Sequence, residues 1–218
     1  MTDSAAPDTV SIPIDAGVLQ GSLTCPADAR ALVLFAHGSG SSRHSPRNTY
    51  VAGVLHARGM ATLLFDLLTP AEDVHYRTKF DIDLLTERLL VAADWVKRQD
   101  HLATLKLGYF GASTGAAAAI RAAALDASKP RAVVSRGGRP DLAGQESLRR
   151  LAAPTLLIMG GRDVSVLALN REAFASMQCE KRLSVVPGAG HLFEEPGSLD
   201  HVAQLAADWF AQHLMPND

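Results

Sequence analysis

Three short stretches carry residue types that together could move a proton and cleave an acyl bond. They are FGASTGAAAA around Ser113, GGRDVSV around Asp163 and PGAGHLFEEP around His191. A serine hydroxyl is a poor nucleophile until a neighbouring base takes its proton. Imidazole can do so near neutral pH, and a carboxylate can orient the imidazole and stabilise its charged form. Ser113 sits in a Gly-x-Ser-x-Gly pattern, Gly111 to Gly115, followed by alanines from Ala116 to Ala119. A sharp strand-to-helix turn would strain the serine backbone and demand very small neighbours two positions away. The turn would lift the hydroxyl clear of the surface and point a helix N-terminus at it. Each residue also has a plainer role open to it. Ser113 or Asp163 could cap a helix, His191 could bond Glu194 or Glu195, and Asp141 in RGGRPD competes with Asp163 as the acid.

Acyl transfer also needs donors for the oxygen that becomes charged. The backbone N–H of Thr114 and that of Ser39, in the loop HGSG, are the expected pair, with Gly38 and Gly40 allowing close approach. HGSGSS is no phosphate loop: it lacks the Lys-Ser/Thr ending, and Arg43 stands where a dinucleotide fingerprint needs glycine. His37, Arg43, Arg136 and Arg139 are the candidates for substrate contact, His37 chiefly by holding the HGSG loop. Arginine suits carboxylate or phosphate, so these residues, with His44 and Arg47 nearby, suggest an anionic substrate or leaving group. The competing account pairs the arginines with Asp66, Glu72, Asp73 or Asp141.

Short apolar runs must position these loops. VSIPI and VLQGSL flank Asp15-Ala16-Gly17 and predict an opening hairpin, with Pro13 on an edge strand. ALVLFA, ATLLFDLL, LKLGYF, RAVVS, PTLLIMG and KRLSVVP are apolar at nearly every position, as strands covered on both faces are. Helical patterns alternate with them: Asn48 to Arg58, Asp81 to Gln99, Thr114 to Leu125, Val166 to Met177 and Leu199 to Leu214. The alternation predicts an α/β fold, a mostly parallel twisted sheet with helices on both faces. Ligands bind beyond the carboxyl ends of such strands, and the glycine-rich polar stretches all follow strands. The span between the strands at Val133 and Leu156 holds room for one short helix and no large lid.

Taken in order, HGSGSSRHSPRN, FGASTGAAAA, GGRD and GAGHLFEEPG resemble the α/β-hydrolase superfamily, specifically its dienelactone-hydrolase-like branch. The resemblance runs from about Val10 to Leu214. It implies the α/β-hydrolase fold, with Ser113, Asp163 and His191 in that fold's chain order of nucleophile, acid and base. The branch often uses a cysteine nucleophile. Serine at position 113 points away from true dienelactone hydrolysis and toward a serine esterase or acyl hydrolase. SRGGRPDLA further resembles a subgroup of small bacterial hydrolases, some linked to phosphoribosyltransferase domains. No such domain is expected in this chain.

The bulk composition narrows the classes. The chain has 218 residues, 47% hydrophobic and 20% charged, with a formal net charge of −2. One domain over residues 1–218 is expected. No field points to nucleic acid or acidic lipid. Cys25 and Cys179 suggest neither a disulfide framework nor a zinc site. No signal sequence or membrane span is legible, so a cytoplasmic location is expected. The reading is a serine hydrolase acting on a small carboxylic ester or lactone through an acyl-enzyme, without metal or cofactor. A thioester or amide hydrolase with the same machinery, and a non-catalytic binding protein on the same fold, are the two alternatives. The oligomeric state is left open.

Overall fold

The computed structural model describes residues 7–15, 17–125 and 130–215; Ala16, at the tip of the expected hairpin, lies outside them. Eight strands form one sheet in the order β1-β2-β4-β3-β5-β6-β7-β8. These are β1 (Asp8–Ile14), β2 (Gly17–Thr24), β3 (Ala31–Ala36), β4 (Met60–Phe65), β5 (Lys106–Ala112), β6 (Ala132–Arg136), β7 (Thr155–Gly160) and β8 (Lys181–Val186). The hairpin β1–β2 is antiparallel and β2 joins β4 antiparallel. The remaining pairings are parallel. β1 is an edge strand, where Pro13 withholds no ladder bond from the sheet interior.

The helices are α1 (Pro46–His56), α2 (Pro70–Asp73), α3 (Ile82–Lys97), α4 (Thr114–Leu125), α5 (Gln145–Arg150), α6 (Val164–Ser176) and α7 (Ser198–Leu214). Strands β3 to β7 are buried along most of their length, so side chains on both pleat faces need cover. On one face Leu89, Ala93 and Val96 of α3 pack with Ala118 and Ala122 of α4 against Leu34, Tyr109 and Val133. On the other, Val51 and Leu55 of α1 and Val202 and Phe210 of α7 meet Val33, Phe110 and Val134. Ala116 to Ala119 and Ala122 of α4 are fully buried and let that helix lie close under the sheet.

The boundaries differ from the sequence pattern for local reasons. α1 starts at Pro46 because Ser45 Oγ accepts the Asn48 N–H and proline suits the first helical position. The link from β6 to β7 holds a 3-10 turn at Pro140–Ala143 and the six-residue α5, with no lid. The strand order reverses direction between β3 and β5, the place beyond whose strand ends open α/β sheets bind ligands. The loop carrying Ser39 and the turn carrying Ser113 leave the sheet at that point.

Candidate active site

Ser113 occupies the single residue between β5 and α4, with φ of 51°. An L-residue in the left-handed region costs roughly 1–3 kcal/mol. Its surroundings hold it there. The Ser113 N–H donates to the Arg136 carbonyl (3.2 Å), while its own carbonyl accepts the N–H groups of Ala116 and Arg139 (both 3.1 Å). The flanking glycines are required by contact. A Cβ on Gly115 would lie 2.2 Å from the Ala36 carbonyl oxygen, and one on Gly111 would lie 2.4 Å from Ala116 Cα. Gly38 brings the β3 loop against the same turn, where a Cβ would sit 3.0 Å from Ser113 Cβ.

His191 and Asp163 come from the loops after β8 and β7. His191 Nδ1 lies 2.7 Å from Asp163 Oδ2. A carboxylate accepts only, so the ring proton sits on Nδ1 and Nε2 is left with its lone pair for a substrate-side proton. Asp163 stands at the N-cap position of α6, yet its side chain caps nothing there. The helix forgoes a bond worth about 1 kcal/mol, and the carboxylate serves the imidazole instead. The rival acid is engaged elsewhere: Asp141 receives Arg139 Nε and Nη2 at 2.8 Å each. Gly137, next to the Arg136 carbonyl that holds Ser113, places a notional Cβ 3.7 Å from His191 Cε1, so the three loops meet at one spot.

The loop after β3 is pinned by His37. Its Nδ1–H donates to the Gly38 carbonyl (2.9 Å) and its Nε2 accepts the Leu67 N–H (3.1 Å). Burial pushes this imidazole below its ordinary value of 6.5 and keeps it neutral. Both ring nitrogens are therefore occupied by backbone, and His37 is a loop fastener. Ser39 donates its N–H to Thr114 Oγ1 at 2.9 Å, which ties the two expected oxyanion donors to each other. Thr114 opens α4, so its own N–H belongs to the first turn, where no carbonyl lies one turn back.

The cations expected to meet substrate divide. Arg43 is bound to Asp66 through both its backbone N–H (2.8 Å) and its guanidinium. Arg139 holds Asp141. Arg136 is buried, and among the described residues it has no carboxylate partner and its Nη1 has no acceptor. The segment after β4 folds α2 and a turn at Thr78–Phe80 alongside the HGSG loop. A cavity of about 470 Å³ between them is lined by Ser39, Ser42, His44, Arg47, Asp73 and Lys79.

Residues 29–214 match the family model described as the alpha/beta hydrolase domain. The chain belongs to the α/β-hydrolase family. This hydrolase is 52% identical to the crystal structure of a dienelactone hydrolase from Anabaena variabilis ATCC 29413, with a TM-score of 0.92 over 96% of this chain and 100% of that one. It is dienelactone-hydrolase-like. A lidless α/β serine hydrolase structure from Xanthomonas campestris, XC6422, shares the fold at 21% identity and TM-score 0.77, over 98% of each chain. In Mycobacterium tuberculosis (strain H37Rv), the protein named "Putative phosphoribosyl transferase Rv0571c" is 60% identical over 194 residues, 89% of this chain. The hydrolase spans 44% of that relative's length.

Several residues that shape the hydrolase site carry no signal in the sequence. Glu195 accepts the Gly190 N–H with both carboxylate oxygens (3.1 and 3.0 Å) and also pairs with Arg162. It thereby bridges the residue before His191 to the residue before Asp163. The Gly190 N–H, ahead of the other contacts, holds the Glu195 carboxyl below its usual range. Phe193 is the second non-glycine at positive φ (56°) and is buried under the histidine loop. Asn170 is fully buried and donates to the Gly138 and Val166 carbonyls (2.9 and 2.8 Å), fixing the loop after β6 to α6. Among the described residues no group of three His, Cys, Asp or Glu side chains could hold a metal ion, and no helix is long and apolar enough to cross a membrane.

Proposed function

We propose that the protein is a serine hydrolase acting on small carboxylic esters or lactones, using Ser113, His191 and Asp163. Two observations support this reading: the strained backbone of Ser113 at its strand-to-helix turn, and His191 Nδ1 meeting Asp163 at 2.7 Å. Ser113 Oγ attacks the carbonyl carbon while His191 Nε2 takes its proton. Asp163 stabilises the imidazolium. The carbonyl oxygen becomes an anion held by the Thr114 N–H and the Ser39 N–H, which Thr114 Oγ1 releases as the oxyanion arrives. Collapse of the tetrahedral adduct breaks the bond to the leaving oxygen, which leaves with the proton from His191. Water, deprotonated by His191, then attacks the acyl-Ser113 ester and frees the acid. The serine in place of a cysteine supports an oxygen-ester substrate, and the lidless crevice supports a small soluble one. The expected setting is the cytoplasm.

Labelling with a fluorophosphonate probe, followed by mass mapping, tests the reading. An adduct on Ser113 in wild type, absent from Ser113→Ala, is the expected result, together with turnover of short p-nitrophenyl esters or small lactones. Folded wild-type protein that gives no adduct and no turnover would move the fold to a binding role.

A further inference from the structure

The loop that carries His191 has a single buried side chain. From His191 to Gly197 every residue is exposed or half-buried except Phe193, which is 2% exposed. Leu192 beside it is left 42% exposed. Surface loops are ordered by the few apolar contacts they make, so this loop is anchored at Phe193.

The backbone under Phe193 is held there against strain. Its φ is 56°, in the left-handed region. Where the same loop needs that conformation elsewhere it uses glycine, at Gly188 (73°) and Gly197 (75°). Glycine adopts it freely, whereas phenylalanine carries a steric penalty. Such strain persists only where the surroundings over-determine it. The Phe193 ring belongs to the apolar cluster that includes Val134 of β6, Ile158 of β7 and Val186 of β8.

Gly137 lies against the same ring. A Cβ placed on Gly137 would sit 3.1 Å from the His191 carbonyl oxygen, 3.4 Å from Phe193 Cε2 and 3.7 Å from His191 Cε1. The histidine backbone, the histidine ring and the phenylalanine ring therefore meet at one glycine. Gly137 is itself fixed, because its N–H donates to the Ile158 carbonyl (2.8 Å). It follows Arg136, whose carbonyl accepts the Ser113 N–H. The ring thus bears on the strand end that holds the nucleophile turn.

We propose that Phe193, seated on Gly137, is a positioning residue that sets the His191 imidazole for Ser113. The role rests on the hydrolase reading above and adds a hold on the base. Asp163 fixes the imidazole through Nδ1, and Glu195 secures the residue before His191 through the Gly190 N–H. Phe193 secures the backbone after it.

Two variants separate the ring from the backbone. Phe193→Gly keeps the left-handed conformation without strain and removes the ring. Phe193→Leu keeps a smaller apolar anchor and the strain. On folded protein with short p-nitrophenyl esters, Phe193→Gly is expected to lower kcat by about 10- to 100-fold with little change in KM, the scale of a catalytic group displaced by about an ångström. Fluorophosphonate labelling of Ser113 should slow by a similar factor, and Phe193→Leu should lose less. Gly137→Ala presses on the same contact from the other side and should also lower kcat. It carries the test if neither Phe193 variant folds, and an unchanged kcat in folded Gly137→Ala would overturn the role. So would a wild-type kcat in Phe193→Gly with a lowered urea midpoint, which would leave the ring as core packing. A rise in KM with kcat unchanged would overturn it too, by placing Phe193 against substrate. Folded wild type that neither labels at Ser113 nor turns over ester would fell the hydrolase reading, and the positioning role with it.

Discussion

Ser113 and Asp163 both give up local stability for position, and each sacrifice is measurable. Glycine meets no Cβ clash at φ near 51°. Ser113→Gly should therefore be more stable than Ser113→Ala by about 1 kcal/mol in urea titrations, while both lack turnover. Equal midpoints would show that the turn is unstrained. Glu195 acts on the chemistry only through Gly190 and Arg162, which makes it a positioning residue. Glu195→Ala should lower kcat by about 10- to 100-fold with little change in KM, the effect expected when a catalytic group drifts by about an ångström. Glu195→Gln keeps an acceptor for the Gly190 N–H and should recover part of the loss. If KM rises in Glu195→Ala while kcat holds, Glu195 touches substrate and does not act by positioning.

At the scale of elements, the contact between α4 and the end of β3 decides whether the nucleophile turn can form. Gly115→Ala would drive a methyl into the Ala36 and His37 carbonyls, both backbone atoms that cannot rotate away. A destabilisation at the upper end of about 1–3 kcal/mol is expected, read as a fall in the urea midpoint. The central strands stand out because nearly every position in them is apolar, and α3 because its apolar stripe repeats at helical spacing. Ser113, Asp163 and His191, the residues proposed to react, stand out in the sequence because glycine marks each of their turns. The direction of each arginine does not. Arg43, Arg136 and Arg139 look alike in the sequence, and only the fold shows that Asp66 and Asp141 take two of them. The Glu195 bridge was hidden for the same reason, since its partners, Gly190 and Arg162, come together only when β7 and β8 pair.

Over the whole molecule, the histidines that burial holds below their ordinary value should weaken the fold in acid. Burial lowers His37, His56 and His213 below 6.5. As pH falls below about 6.5 the unfolded chain takes these protons first, and the folded state takes them only at lower pH. Their contribution is complete above about 6.5 and is lost on the way down through the folded values. The urea midpoint should drop between about pH 7.5 and pH 5.5, and replacing His56 by Gln should flatten that drop. A midpoint that rises on acidification would contradict the sign.

The segment from Leu67 to Asp81 is fastened at both ends. Its first N–H bonds His37 Nε2, its last residue caps α3 through the Leu84 N–H, and Glu72 is braced against Arg88 in between. Ser113, Asp163 and His191 all lie outside it. An engineer could treat this stretch as an exchangeable cassette, grafting a foreign sequence of the same span while leaving the reacting groups untouched. Variation of the surface beside the HGSG loop would then proceed separately from the residues proposed to react.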